Sequence, residues 1–356
     1  MKHTILITGA AGYVGTMLVQ QFARREDVGL ILGIDKEPFP EILADEPKLK
    51  YLETNLSTAG WEELVGKENP DIVIHAAWQI RELYGKQDVG YLWNIGGSDR
   101  VFDYVFNSTG VKRFVYFSTV ASYGAFVDNT IEHRFTEEEP FRVTDYSYAE
   151  EKRIVEEHLH EKYAERANKD IVVSVVRPAA ITGPRGRYMR IRFGLQSALS
   201  GQLKGSFVYS LVSKMTAFVP VTARWCRQFI HEDDVVDLVE LLSFTSTRTS
   251  FEIFNICPPG EVVRGADMAR AVGKRMLQVP PVLIRIAFFI FWHGSRGKVP
   301  TGRGAWKSYS YPIAVDGSKL TKLEGYEYKH SSYDAFYYTA GRYESYVPQE
   351  SRRTKK

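Results

Sequence analysis

Apolar runs and helix-spaced stretches alternate through the first half of the chain. HTILIT (3–8) is apolar and rich in β-branched residues, and a glycine turn follows it. YVGTMLVQQFARR (13–25) then repeats apolar side chains at helical spacing. LILGID (30–35), LKYLET (49–54), DIVIHAA (71–77), RFVYFST (113–119) and DIVVSVVRP (170–178) are further strand candidates. Helical candidates lie between them, among them GYLWNIGGSDRVFDYVFNSTG (90–110) and the charged SYAEEKRIVEEHLHEKYAERAN (147–168). Strands alternating with helices predict an α/β fold with a doubly wound parallel sheet. The strands are apolar throughout rather than at alternate positions, as expected where helices cover both faces.

The rhythm breaks after about residue 183, and 183–225 has no clear period. QFIHEDDVVDLVELLSF (228–244) reads as a strand end entering a helix, FEIFNI (251–256) as a strand and GADMARAVGKRM (265–276) as a helix. The expected division is a dinucleotide-binding domain over 1–180, completed by segments near 226–256. A smaller substrate-binding domain over 181–345 and a flexible basic tail over 346–356 follow. With 356 residues the chain is long enough to bury a substantial core.

Composition narrows the class. A net charge of +3 gives no dense basic face for nucleic acid, so no nucleic-acid partner is expected. Cys226 and Cys257 are too few for a disulfide scaffold and lack metal-type spacing. The most apolar stretch, VLIRIAFFIFW (282–292), is about half the roughly 20 residues that span a bilayer and contains Arg285. MKHTILITG passes directly into a strand pattern. A cytoplasmic protein without stable membrane insertion is therefore expected.

ITGAAGYVG places Gly9, Gly12 and Gly15 between the first strand and the first helix. Such a turn needs residues without a Cβ, and the helix start behind it offers unpaired N–H groups and a positive dipole end to a pyrophosphate. Cofactor contacts are expected from Gly9, Gly12, Tyr13, Val14 and Gly15. The spacing is G-x-x-G-x-x-G, a partial match to the commoner dinucleotide fingerprint. Asp35 ends the second strand, where a carboxylate accepts hydrogen bonds from the adenosine ribose and repels a 2′-phosphate. The cofactor expected is NAD; Lys36 beside it keeps NADP in view.

DYSYAEEK (145–152) offers a catalytic pair. On a helix the four-residue spacing puts Tyr148, and not Tyr146, on one face with Lys152. A phenol titrates near 10, too high for a good base at neutral pH, and a nearby ammonium would lower it.

TGAAGYVG, the HAA of 75–77, Asn94, VKRFVYFST…YG (111–124), YAEEK, RPAAITGPR (177–185) and RQFIHEDDV (227–235) occur in that order. Over roughly residues 3–340 this resembles the extended short-chain dehydrogenase/reductases, the NAD-dependent epimerase/dehydratase group. The resemblance implies a Rossmann-type sheet with a smaller C-terminal substrate-binding domain, and NAD-dependent enzyme chemistry. By it Tyr148, Lys152 and Thr119 are catalytic, with Ser118 the local competitor of Thr119. Lys152 and Asn94 also serve the cofactor. Asn55, with Leu56 beside it, stands where relatives usually have an aspartate that contacts adenine. Ala76, Ala77 and Trp78 follow a central strand and are expected near the cofactor. Pro178 to Ile181 resemble the segment lining the nicotinamide. His231, Glu232, Asp233 and Asp234 occupy a stretch that is structural in the family, so no metal is expected.

The substrate stays open. Ala180 replaces an asparagine that contacts substrate in many nucleotide-sugar relatives, whereas Arg227 sits where relatives hold a phosphate-binding arginine. The small-molecule substrate is thus a sugar or nucleotide-sugar, or a more apolar hydroxy compound with 282–292 as a greasy wall. A non-catalytic dinucleotide-binding regulator is the third reading. A homodimer is expected through helices near 94–108 and 147–167, the second carrying Ile154, Val155 and Leu159 among its charges.

Overall fold

The structure, a computed structural model, describes residues 2–189, 218–245, 251–271, 275–349 and 352–354. Most of the aperiodic 183–225 stretch and half of the 351–356 tail therefore lie outside the described residues. The strands in chain order are β1 (His3–Thr8), β2 (Val28–Asp35), β3 (Leu49–Glu53), β4 (Ile72–His75), β5 (Arg113–Phe117), β6 (Val172–Pro178) and β7 (Ala180–Thr182). They continue with β8 (Phe218–Val221), β9 (Cys226–Arg227), β10 (Phe229–His231), β11 (Phe251–Ile256), β12 (Val263–Arg264) and β13 (Arg275–Gln278). The helices that matter most are α1 (Tyr13–Ala23), α2 (Trp61–Gly66), α3 (Gln87–Tyr91), α4 (Gly97–Asn107) and α5 (Ser147–Glu165).

The chain divides into two compact units. The first comprises residues 1–118, 151–177 and 236–254; the second comprises 119–150, 178–235 and 255–356. The second unit takes 119–150, which the sequence division assigned to the first domain. The reason lies in its backbone partners. Phe135 N–H donates to Ala314 O at 2.9 Å, Asp316 N–H donates to Phe135 O at 3.0 Å, and Asn129 Nδ2 donates to Pro312 O at 2.8 Å. A loop that would otherwise carry unpaired polar groups is satisfied there.

The first unit is a seven-stranded sheet in the order β11-β6-β5-β4-β1-β2-β3. All pairings from β6 to β3 are parallel. This is a Rossmann-type order, and it reverses between β1 and β4, where such sheets bind their ligands. The apolar runs fill the interior: Ile5, Leu6, Ile7, Ile74, Phe114 and Val175 are fully or almost fully buried. On one face α4 and α5 contribute Val101, Phe102, Val105, Val155 and Leu159 to a single core. Each such side chain contributes about 1.5–3 kcal/mol through burial. The apolar stripe behind the homodimer expectation is thus spent inside its own unit, since Val155 and Leu159 are buried and Ile154 packs beside them. It supplies no argument for a second copy.

The second unit is built from short pairings. β7 runs parallel to β10, β8 parallel to β13, and β9 antiparallel to β12. A smaller core of Val221, Trp225, Phe229, Val263, Met268 and Phe336 holds them. Cys226 and Cys257 are buried free thiols. No helix among the described residues is long and apolar enough to cross a membrane.

Candidate active site

The glycine turn leaves β1 through Gly9, whose φ of +77° lies in the left-handed region. A Cβ on Gly9 would lie 2.6 Å from Ala77 N, and one on Gly15 would lie 2.0 Å from Gly9 O. Both glycines are therefore demanded by packing: Gly9 lies too close to the chain leaving β4 for any side chain, and Gly15 lies too close to the backbone of the turn itself. Gly12 N–H donates to Gly9 O at 2.9 Å, and Gly12 caps α1 with no side-chain hydrogen bond. The first turn of α1 carries no acidic residue. Tyr13 and Val14 open that turn.

Asp35 closes β2 beside this turn. Its carboxylate accepts from Ala11 N–H at 3.0 Å and from Glu37 N–H at 3.1 Å, which fixes its orientation. Lys36 turns away, pairing with Glu37 and lying 4.9 Å from the Trp93 ring centre. Asn55 Oδ1 accepts from Ser57 N–H at 3.0 Å and Ser57 Oγ at 2.9 Å, shaping the loop after β3, while Leu56 is buried.

Asn94 lies in a π-helical turn, Leu92–Gly96, a distortion that often marks functional positions. Its buried amide is committed to protein. Oδ1 accepts from Gln79 N–H at 2.7 Å, and Nδ2 donates to Gln79 O at 3.1 Å and Glu151 Oε2 at 2.6 Å. Asn94 therefore fixes the backbone at Gln79, next in the chain after Ala76–Trp78. Lys152 lies in the same unit. Its ammonium donates to Phe117 O and lies 3.7 Å from the Trp78 ring centre. Burial pushes its pKa well down, and Glu156 and Glu151 oppose that. Beneath it His75 is buried between Thr8 Oγ1 (2.6 Å) and Ser98 Oγ (2.9 Å), and burial together with Lys152 lowers its pKa to about 3.

One turn further along α5, Glu156 accepts from Arg177 Nε at 3.0 Å and from the Ser118 hydroxyl, all three buried. Sequence reasoning missed this triad. Its signal was present: Glu156 follows Lys152 by four residues, on the same helix face. The triad also separates the two hydroxyl candidates, because Ser118 is turned inward to Glu156.

The second unit carries Thr119 and Tyr148. Thr119 Oγ1 accepts from Ala121 N–H at 3.2 Å and is hydrogen-bonded to the Tyr148 hydroxyl. Burial raises the Tyr148 phenol above its ordinary value of 10.0, and the Thr119 hydroxyl pulls it part of the way back. The direction is opposite to the depression the lysine spacing predicts. The Tyr146 ring lies 5.9 Å from the Tyr148 ring. The start of α5 is pinned by Lys307, 2.6 Å from Asp145, and by Gly304, where a Cβ would lie 2.4 Å from Tyr146 N.

Pro178 ends β6, and Ala180 and Ile181 lie in β7, with Ala180 N–H donating to Gln228 O at 3.2 Å. Arg227 in β9 has its guanidinium 5.4 Å from the Tyr309 ring and 6.0 Å from the Trp225 ring. Tyr309 in turn meets Phe288 at 5.1 Å, so the helix Pro281–Gly294 reaches towards Arg227 through its inner face.

His231, Asp233 and His330 gather within 4.8 Å. His231 Nδ1 accepts from Asp233 N–H and Nε2 donates to Ala340 O, both at 3.1 Å, while Asp233 accepts from Arg342 N–H at 2.9 Å. The imidazole is hydrogen-bonded at both nitrogens. Glu232 accepts from Arg185 and Gly186 N–H at 3.0 Å each, and a Cβ on Gly183 would lie 2.4 Å from its Cδ. That contact ties TGPR to HEDD.

The sheet order, the glycine turn at its reversal point and the oriented Asp35 carboxylate define a dinucleotide-binding protein of the Rossmann class. The sequence matches the NAD dependent epimerase/dehydratase family over residues 5–257, and the chain belongs to that family. It is 29% identical over 183 residues to an uncharacterized protein, y4nG, of Sinorhizobium fredii, covering 51% of this chain and 41% of that protein. It is 28% identical over 192 residues to the N-acetyl-alpha-D-glucosaminyl-diphospho-ditrans,octacis-undecaprenol 4-epimerase of Escherichia coli O157:H7, covering 52% and 51%. The chain thus spans about half the length of the curated relatives it matches. Among solved structures it is similar to Bordetella bronchiseptica WbmG in complex with NAD and UDP. That match has a TM-score of 0.66 and 22% identity over 94% of this chain and 93% of the other.

Proposed function

We propose that this chain is an NAD-dependent enzyme that exchanges hydride at a secondary alcohol of a sugar carried on a diphosphate, by epimerisation or dehydration. The observation that carries the reading is the hydrogen bond between Tyr148 and Thr119, a proton carrier paired with a hydroxyl that can also bind a substrate oxygen. The residues present fit NAD. The uncapped, acid-free start of α1 suits a pyrophosphate, and Asp35, held open by two backbone N–H groups, suits the ribose hydroxyls. Lys152 is assigned the nicotinamide ribose. When bound, NAD supplies the hydride acceptor and a cationic ring.

Tyr148 takes the alcohol proton at its phenol oxygen, and Thr119 orients the same alcohol. Because burial disfavours the phenolate that takes this proton, acting as base requires added positive charge nearby, which a bound cationic nicotinamide ring would supply. Arg227 would hold a diphosphate oxygen, and Phe288 and Tyr309 would give that position an apolar flank. Family membership and a diphosphate-linked substrate in a relative's name support a sugar over a steroid-like alcohol.

Tyr148→Phe keeps the ring and removes the proton carrier. It should lower kcat on nucleotide sugars by about 10²–10⁴-fold with NAD affinity unchanged, whereas Tyr146→Phe should be mild. Isomerisation or dehydration assays on a nucleotide-sugar panel would measure this. Near-full turnover by Tyr148→Phe would overturn the assignment.

A further inference from the structure

The helix Pro281–Gly294 has one face packed and one face bare. Ile284 and Trp292 are buried, and Phe288 and Phe291 are half-buried on the same side. Val282, Ile286, Phe289 and Ile290 are 56%, 49%, 65% and 59% exposed. Their positions, i, i+4, i+7 and i+8, place them on one helical face. Leu283 and, in the strand just before, Met276 and Leu277 are exposed as well. A run of large apolar side chains facing water is an interaction surface rather than ordinary surface scatter.

The charge around it names the occupant. Residues 268–315 contain eight lysines and arginines and no aspartate or glutamate, in a chain whose net charge is only +3. Arg275, Arg285, Arg296, Lys298 and Arg303 are exposed, before, within and after the helix. Arg285 borders the bare apolar face. At about 1.5 Å per residue the 14-residue helix is about 21 Å long, short of the roughly 30 Å hydrocarbon core. It matches a helix that lies in a membrane interface, apolar side down, with cations at headgroup level. A second copy is a poor occupant. A two-fold contact would set this basic rim against itself.

We infer that the helix Pro281–Gly294 docks this protein on an anionic lipid surface, inserting Val282, Ile286, Phe289 and Ile290 while the flanking arginines and lysine meet the phosphates. The inference does not depend on which substrate the enzyme uses. Full-length protein would be sedimented with vesicles of phosphatidylcholine alone or mixed equally with phosphatidylglycerol, at low and high salt. Binding should favour the anionic vesicles by about tenfold or more and weaken with salt. Phe289→Ser with Ile290→Ser should lose on the order of a hundredfold in partitioning, with NAD affinity and helical content unchanged because both side chains face solvent. Arg285→Glu with Arg296→Glu provides an independent variant and should abolish the anionic preference. Equal partitioning of wild type and both variants would overturn the inference. So would wild-type sedimentation equilibrium showing self-association that the serine variant abolishes, or vesicle-independent capture by an acidic protein alone.

Discussion

The buried triad of Ser118, Glu156 and Arg177 makes a quantitative test of how this sheet is held. Glu156 and Arg177 are 2% and 4% exposed, and Ser118 is 2% exposed. Glu156→Gln preserves shape but removes the charge, and it turns an amide N–H₂ towards a guanidinium that needs an acceptor. Removing one partner of such a buried pair costs about 3–5 kcal/mol, because the remaining charge is left buried without compensation. Unfolding entropy of about 2.1 cal/mol/K per residue over 356 residues gives about 0.75 kcal/mol per degree. The expected fall in Tm is therefore about 4–7 °C, read by calorimetry. Arg177→Met should fall similarly. The double variant should fall less than the two losses combined, since neither charge is then stranded. A change under about 1 °C for Glu156→Gln, or strict additivity in the double variant, would refute the reasoning.

Asp35→Ala should weaken NAD binding and erode discrimination against NADP, measured by calorimetric titration of both cofactors. Equal or tighter NADPH binding by the wild type would rule out the role given to that carboxylate. Stability should also depend on pH through His75, whose folded pKa is lowered to about 3. The unfolded chain binds this proton near pH 6.5 and the folded chain does not. Stability is therefore fully present above about 6.5 and is lost as pH falls towards 3, by up to about 1.4 kcal/mol per unit. Denaturant titrations between about pH 7 and pH 4.5 should show that slope, and His75→Gln, which can still reach Thr8 and Ser98, should flatten it. Identical profiles for the two proteins would exclude His75 as the source.

The local readings share a cause. Apolar runs such as HTILIT and DIVIHAA can be satisfied only between two layers, so the doubly wound sheet was legible from pattern alone. Gly9 and Gly15 could be picked out because no other residue fits so close to a neighbouring backbone. Tyr148 and Lys152 stood out because a helix converts a spacing of four into a shared face. The Val155 and Leu159 stripe could not decide for a homodimer, because an apolar stripe on a helix looks the same whether its own sheet or a second copy covers it.

What the amino-acid order determined by itself is whatever depends on near neighbours: strand and helix periods, the glycine turn, the tyrosine–lysine spacing, and the family those motifs share. Tertiary structure alone decided what depends on partners far along the chain. It sent Ser118 inward to Glu156, 38 residues away, and bound Thr119 to Tyr148. It committed Asn94 to Gln79 and placed residues 119–150 in the second unit. It left one face of the helix Pro281–Gly294 in water although every turn of that helix is apolar. A hydrogen bond or a covered face depends on where a remote segment arrives, and composition and spacing carry no record of that arrival.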